Sequence, residues 1–346
     1  MLKKLLPCLL LALLAGSCKS TLETVYPTLN DGKYDSEFPY KSSSTELETI
    51  SESIQRINCT TFYRIYRFDK NVLVTYKELN DKFIKKSAVK EEYGNNSLSG
   101  TGFTVSSENG AIALITCAHI ISFPDTIITY REDADGTTSP FIESISIKDK
   151  ENIYVAGFPE GSEVELLAKD DEMDIAIVGK KYSAQTGFRI PVFPYPFGHS
   201  KELEWGTFVY LFGYPINYKM VTKAIVSSPD GDNEGSFLVD AVVNPGFSGG
   251  MVLAIRDGVP HFEMVGMVQW VPEEEETYLA PEKLNSGKRY NTLIPYTGEI
   301  YPKNHKSIKY GITKIISAEA IRDFVDANRI SLKRDGYEIN LKSSSK

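Results

Sequence analysis

Ser248 stands in Asn244-Pro245-Gly246-Phe247-Ser248-Gly249-Gly250. A serine hydroxyl is a weak nucleophile unless a base stands beside it, and attack on a carbonyl leaves an oxyanion that needs N–H donors. Glycines around the serine let the backbone turn tightly and bring such donors close. Two other residues could complete the chemistry. His119 follows the apolar run Ala111 to Cys117, and Asp174 immediately precedes Ile175-Ala176-Ile177-Val178. An imidazole can take the serine proton, and a carboxylate can orient that imidazole and stabilise its cation. The chain order is His119, Asp174, Ser248. An α/β-hydrolase would run Ser, Asp, His through a strand–helix elbow, so the order disfavours that class.

These side chains must be held by strands. From Cys59 onward, short β-branched and aromatic runs alternate with Gly, Asn, Asp and Pro. They are Phe62 to Phe68, Asn71 to Tyr76, Gly102 to Val105, Ala111 to Cys117, Thr126 to Tyr130, Ile153 to Ala156, Ile175 to Val178, Phe208 to Phe212, Phe237 to Val243, Met251 to Ile255 and Glu263 to Trp270. Many short strands with turn signals between them predict an all-β barrel or sandwich. Leu47, Ile50, Ile54 and Ile57 recur at helical spacing, predicting a short helix over Thr45 to Ile57 capped by Ser44 or Thr45. Ser317 caps a second helix with Ile321, Phe324 and Val325 on one face, and a polar tail is expected to fray beyond about Ile330.

Of the 346 residues, 42% are hydrophobic and 24% charged, which excludes wholesale disorder. The balance of 38 basic against 46 acidic residues, with no Lys/Arg block, speaks against nucleic acid as a partner. No zinc-ligand spacing exists, and neither a metal nor a cofactor is expected. Asp133/Asp135 and Asp230/Asp232/Glu234 resemble parts of calcium loops but lack the closing Glu, and read as solvated turns.

Lys3 and Lys4 precede an apolar stretch, Leu5 to Ala15, too short to span the roughly 30 Å hydrocarbon core, which reads as an export signal over 1–17. It ends in Leu14-Ala15-Gly16-Ser17-Cys18, which resembles a bacterial lipobox; the resemblance implies acylation of Cys18 and a lipid-held protein of the bacterial cell envelope, in the periplasm or at the outer membrane. Ordinary signal cleavage nearby is the other reading. A tether over 18–55, a folded unit over 56–330 and a polar tail over 331–346 follow. Cys59 and Cys117 are either bridged or two buried thiols.

Ser99-Gly100-Thr101-Gly102-Phe103, Thr116-Cys117-Ala118-His119, Asp174 to Val178 and Val239 to Gly250, in that order, resemble the chymotrypsin/trypsin-like serine proteases, and the bacterial HtrA/Deg branch in particular. The resemblance covers roughly residues 95 to 270. It implies two packed six-stranded β-barrels with a short C-terminal helix and hydrolysis of peptide bonds in protein substrates. Ser248 would be the nucleophile, His119 the general base and acid, Asp174 its orienting group, and Gly246 and Ser248 N–H the oxyanion donors. Val242, Gln269, Trp270 and Val271 would bind substrate. No carboxylate falls where a trypsin-like pocket holds one, so small to medium apolar residues are expected before the cut. Phe247 stands where the family has Asp or Asn, which removes the acid that would pair with a newly clipped N-terminus. No PDZ-sized segment follows the unit. A catalytically silent module of the same fold, binding unfolded or host proteins, is the competing reading.

Overall fold

The computed structural model describes residues 30–133, 137–158, 163–183, 189–231, 235–270, 273–281, 290, 293–308 and 311–344; for residues 270, 273–275, 301 and 303–308 it describes the backbone alone. The export signal, Cys18, Val271 and the Trp270 side chain therefore lie outside it.

Two closed six-stranded antiparallel barrels make up the body. The first contains β1 (Ile54–Phe68), β2 (Ala88–Glu108), β3 (Ala111–Thr116), β5 (Thr138–Val155), β6 (Glu163–Asp170) and β7 (Ile175–Lys181), closed by β1 pairing with β5; β4 (Thr126–Glu132) is added outside β5. The second contains β8 (Phe208–Gly213), β9 (Met220–Ser228), β10 (Ser236–Val239), β11 (Met251–Ile255), β12 (Phe262–Trp270) and β15 (Thr313–Ser317). Between β12 and β15 the chain makes a separate ribbon of β13 (Glu273–Pro281) and β14 (Ile300–Ile308). This is the chymotrypsin-like architecture expected from the resemblance. Closure satisfies the strand edges that an open sheet would leave unpaired. One continuous core runs from Phe103 and Ile115 of the first barrel into Met251, Leu253 and Met267 of the second, so the barrels share buried surface.

The expected helix at Thr45 is shorter than its periodicity suggests. Helix α1 spans Ser44–Glu52, and Ile54 and Ile57 belong to β1, fully buried. Helical spacing alone does not separate a helix from the start of a strand buried on both faces. Asn71 to Tyr76 is no strand. Val74 is buried there because the loop, with helix α2 (Asp81–Ser87), closes a separate small core of Tyr66, Phe68, Ile84, Ile142 and Ile145.

Helix α3 spans Ala318–Arg334, and the Ser317 hydroxyl accepts from Ala320 N–H at 3.1 Å as its cap. Ile321, Phe324 and Val325 are buried as the spacing predicts. The segment beyond it does not fray: Tyr337 and Ile339 are buried, and Phe197 N–H donates to Lys342 O at 2.7 Å. The stretch from Asp31 is likewise no free tether. Asp35 N–H donates to Ile255 O, Phe208 N–H donates to Asp35 O, and the Tyr34 hydroxyl donates to Glu263 at 2.6 Å beneath the Arg256 guanidinium. No described helix is long and apolar enough to cross a membrane.

Candidate active site

His119 lies in a single 3-10 turn, Ala118–Ile120, just past β3, and Asp174 sits at the entry to β7. These strands are neighbours in register, Thr116 opposite Ala176, so the two residues are brought together by local sheet pairing. The Asp174 carboxylate meets the imidazole Nδ1 at 2.8 and 3.0 Å and accepts from His119 N–H at 2.9 Å, while Asp174 O accepts from Ala118 N–H. An ionised carboxylate only accepts, so Nδ1 carries the proton and Nε2 is left unprotonated, ready to receive another. Asp174 adopts φ +57, a left-handed conformation unusual for a non-glycine residue and common at functional sites. Its side chain is 11% exposed and that of His119 43%: the carboxylate is buried while the imidazole reaches into the cleft. Asp170 accepts from Glu172 and Met173 N–H in its own turn and Asp171 pairs with Lys169, so neither replaces Asp174.

The loop that carries Ser248 consists of two successive turns. Phe247 N–H donates to Asn244 O and Gly250 N–H to Phe247 O, with glycine at the third position of each turn, Gly246 at φ +105 and Gly249 at φ +82. A β-carbon at Gly246 would overlap the Tyr214 carbonyl, and one at Gly249 the Thr101 carbonyl, so neither position accepts a side chain. Pro245 O accepts from Ile216 N–H at 3.2 Å. In a trans peptide the N–H opposes the C=O, so this bond aims Gly246 N–H the other way. Among the described residues, Gly246 N–H and Ser248 N–H have no acceptor. Two free backbone donors flanking a serine are what an oxyanion requires.

Phe247 solves the problem its position raises by burying its ring in the second barrel's core, against Gly213, where a β-carbon would come within 2.5 Å of the ring. Thr101, on β2 of the first barrel, is a residue whose part the sequence reading missed. Its N–H donates to Ser248 O, its hydroxyl donates to Gly246 O at 2.7 Å and accepts from Tyr214 N–H at 2.9 Å, and its carbonyl accepts from the Thr116 hydroxyl. One threonine thus fastens the nucleophile loop across the barrel interface. Its place within Ser99-Gly100-Thr101-Gly102-Phe103 was the only sequence signal.

His119, Asp174, Gly246 and Ser248 line one cleft of about 800 Å³, together with Leu98, Ser99, Val243, Val268 and Gln269. The hydrogen bonds of the imidazole run to Asp174, and the Ser248 hydroxyl shares the cleft with the ring without a hydrogen bond to it. Val242 is a correction to the expected substrate wall. It is 63% exposed and outside the cleft, while Val243 lines it, because successive residues of an extended chain face opposite ways. Gln269 lines the cleft. Among the described residues, Gln269 Oε1 and Ser99 Oγ are buried with no hydrogen-bond partner, and leaving such an atom unpaired is costly.

Cys59 and Cys117 are free and buried, and burial pushes the Cys59 thiol up to about 12. Cys117, His119 and Asp174 bring potential ligand atoms within 4.8 Å of one another. The Cys117 thiol is wholly buried, is held well above its ordinary range by that burial, and donates to Val268 O, so it is a poor metal ligand.

Comparison with known proteins agrees with this fold. A trypsin-like peptidase domain family matches residues 100–267. Serine protease Do-like HtrA of Lactobacillus helveticus is 25% identical over 213 residues, covering 55% of this chain and 44% of that protein, so the chain spans less than half of the relative's length. Residues 100–267, which hold most of the strands of the two barrels and the cleft between them, are similar to the trypsin-like peptidase domain.

Proposed function

We propose that the chain is a serine endopeptidase. The observation that carries this reading is the His119–Asp174 pair facing, across one cleft, a serine flanked by two backbone N–H groups without acceptors. Ser248 Oγ attacks the scissile carbonyl as His119 Nε2 takes its proton, and Gly246 and Ser248 N–H hold the oxyanion. The imidazolium, stabilised by Asp174, gives the proton to the leaving amine, and water then hydrolyses the acyl-enzyme by the same route. Val243 and Val268 present apolar surface near the serine. A cationic side chain there would have to bury an unpaired charge, so cleavage follows Ala, Val, Ile or Leu. The sequence around Cys18 supports export and attachment to the bacterial cell envelope through lipid, tested by loss of detergent partitioning in Cys18→Ser.

The deciding experiment is labelling with a fluorophosphonate probe, with cut sites in an unfolded protein mapped by mass spectrometry. Labelling of the wild type and not of Ser248→Ala or His119→Ala is expected. Folded wild type that neither labels nor cleaves would favour the silent binding module, and a majority of cuts after Lys or Arg would defeat the apolar pocket.

A further inference from the structure

The chain enters the fold on the outside of the second barrel. Gly32 N–H donates to Asp257 Oδ1, Arg256 donates to Gly32 O, and Lys33 pairs with Glu204 at 2.7 Å. Trp205 follows that glutamate in the turn Glu204 to Thr207, which leads into β8, and it is 72% exposed. Five residues beyond Lys33, Phe38 lays its ring 5.1 Å from that of Phe208 and stays 66% exposed, with Lys223 Nζ 4.6 Å from its centroid. In the β8–β9 ladder Phe208 stands opposite Ile225 and Tyr210 opposite Lys223, so these four share the outer face, while Val209, Leu211, Ala224 and Val226 fill the barrel. Ile225 is exposed on that outer face, and so is Val221, two positions beyond Lys223. Large apolar side chains gathered on one face, rather than scattered singly, mark a surface made to be covered.

We propose that this face lies on a lipid bilayer, with Trp205 and Phe38 seated at the level of the headgroups. The inference rests on the reading of Cys18 as the acylated residue. From Cys18 to Asp31 is 13 residue steps, at most about 45 Å of extended chain. A body of about 300 residues has a radius of gyration near 19 Å and so measures roughly 50 Å across. The tether is shorter than the body, so the side on which the chain enters at Gly32 and Lys33 cannot turn away from the membrane. Aromatic rings favour the headgroup level, where acyl chains lie on one side and water on the other. Lys223 and Lys41, each over an aromatic ring, can reach outward to the phosphates. Lys33, Lys41 and Lys223 are matched by Asp31, Glu37 and Glu204, so apolar insertion rather than charge supplies the binding, and an uncharged phosphatidylcholine surface suffices. A lipid tether alone leaves the body free to turn, whereas a second contact fixes which way the cleft faces.

The test reconstitutes the full acylated chain into phosphatidylcholine vesicles with plain or brominated acyl chains and reads tryptophan emission. The chain has two tryptophans, so seating Trp205 in the bilayer surface should remove about half of the emission on brominated vesicles, and Trp205→Phe should abolish that loss. Ile225→Ser should weaken the quenching several-fold at an unchanged melting temperature, and added salt should leave the quenching as it is. Equal emission from both kinds of vesicle, quenching that Trp205→Phe retains, or quenching that salt removes would overturn the proposal. So would a dimer in vesicle-free solution that shields Trp205 from iodide, which would give the face to a second copy. Detergent partitioning of the wild type against Cys18→Ser reports on the lipid separately. Should Cys18 carry none, co-sedimentation of the unacylated chain with the same vesicles reads the face alone. Trp205→Ser is then expected to lose co-sedimentation, and a wild type that stays in the supernatant overturns the proposal.

Discussion

The two barrels hold their shares of the site in different ways. The first presents His119 and Asp174 from the ends of adjacent strands, and sheet register alone fixes their separation. The second presents Ser248 from a loop with two positive-φ glycines, an aromatic anchor in its own core and a fastening to Thr101 in the other barrel. The half that carries His119 and Asp174 is therefore a local product of a ladder, and the half that carries Ser248 is a product of the barrel interface. Damage to the interface should reach the serine first and leave the histidine–aspartate pair in place.

Asp174→Asn gives the largest effect and attacks the local half. It should leave the melting temperature nearly unchanged and slow turnover by roughly 10⁴-fold, the loss known for the serine-protease triad, because Asn can favour the wrong imidazole tautomer. A mild effect in steady-state kinetics would show that another acid orients His119. Phe247→Ala attacks the other half by removing a buried ring, at a cost of about 3–5 kcal/mol in chemical denaturation, with loss of probe labelling. Phe247→Leu should recover most of both; if Phe247→Ala kept full labelling, the ring would not be what holds the loop.

Thr101→Val preserves shape but strands Gly246 O and Tyr214 N–H, each costing about 1–3 kcal/mol. Turnover should fall about 10- to 100-fold while the His119 ring resonances followed by NMR stay as in the wild type. Displaced His119 resonances would break the contrast between the halves.

The smallest effect lies away from the cleft. Burial raises the Asp35 carboxyl to about 6, with Gly258 N–H opposing and Asp257, Asp31 and Glu37 adding to the rise. The folded state holds this proton more tightly than the unfolded chain does. Its stabilising contribution is therefore full below about 3.8 and lost as pH rises through about 6. Asp35→Asn should raise the melting temperature by a few degrees above pH 6 and flatten its pH dependence between about 4 and 6. An unchanged thermal profile across that range would mean the N-terminal stretch is not held through Asp35.

The all-β class and the C-terminal helix were legible in the sequence, as were the types and order of the candidate site residues, because each rests on a local pattern. His119 and Asp174 adjoin β-branched runs, Ser248 is framed by glycines, and Ser317 precedes a helical period. Local pattern misjudged the segments whose environment comes from elsewhere. The polar residues after Arg334 dock because Phe197 offers backbone partners, and the stretch from Asp31 docks because Ile255 and Phe208 do. Val242 and Val243 could not be ranked in advance, since a one-residue change of facing exchanges cleft for solvent. Types and order of the chemical groups are properties of the chain itself. Thr101 beside Ser248 and the free N–H of Gly246 belong to contacts distant in sequence, and only closing and packing the two barrels decided them.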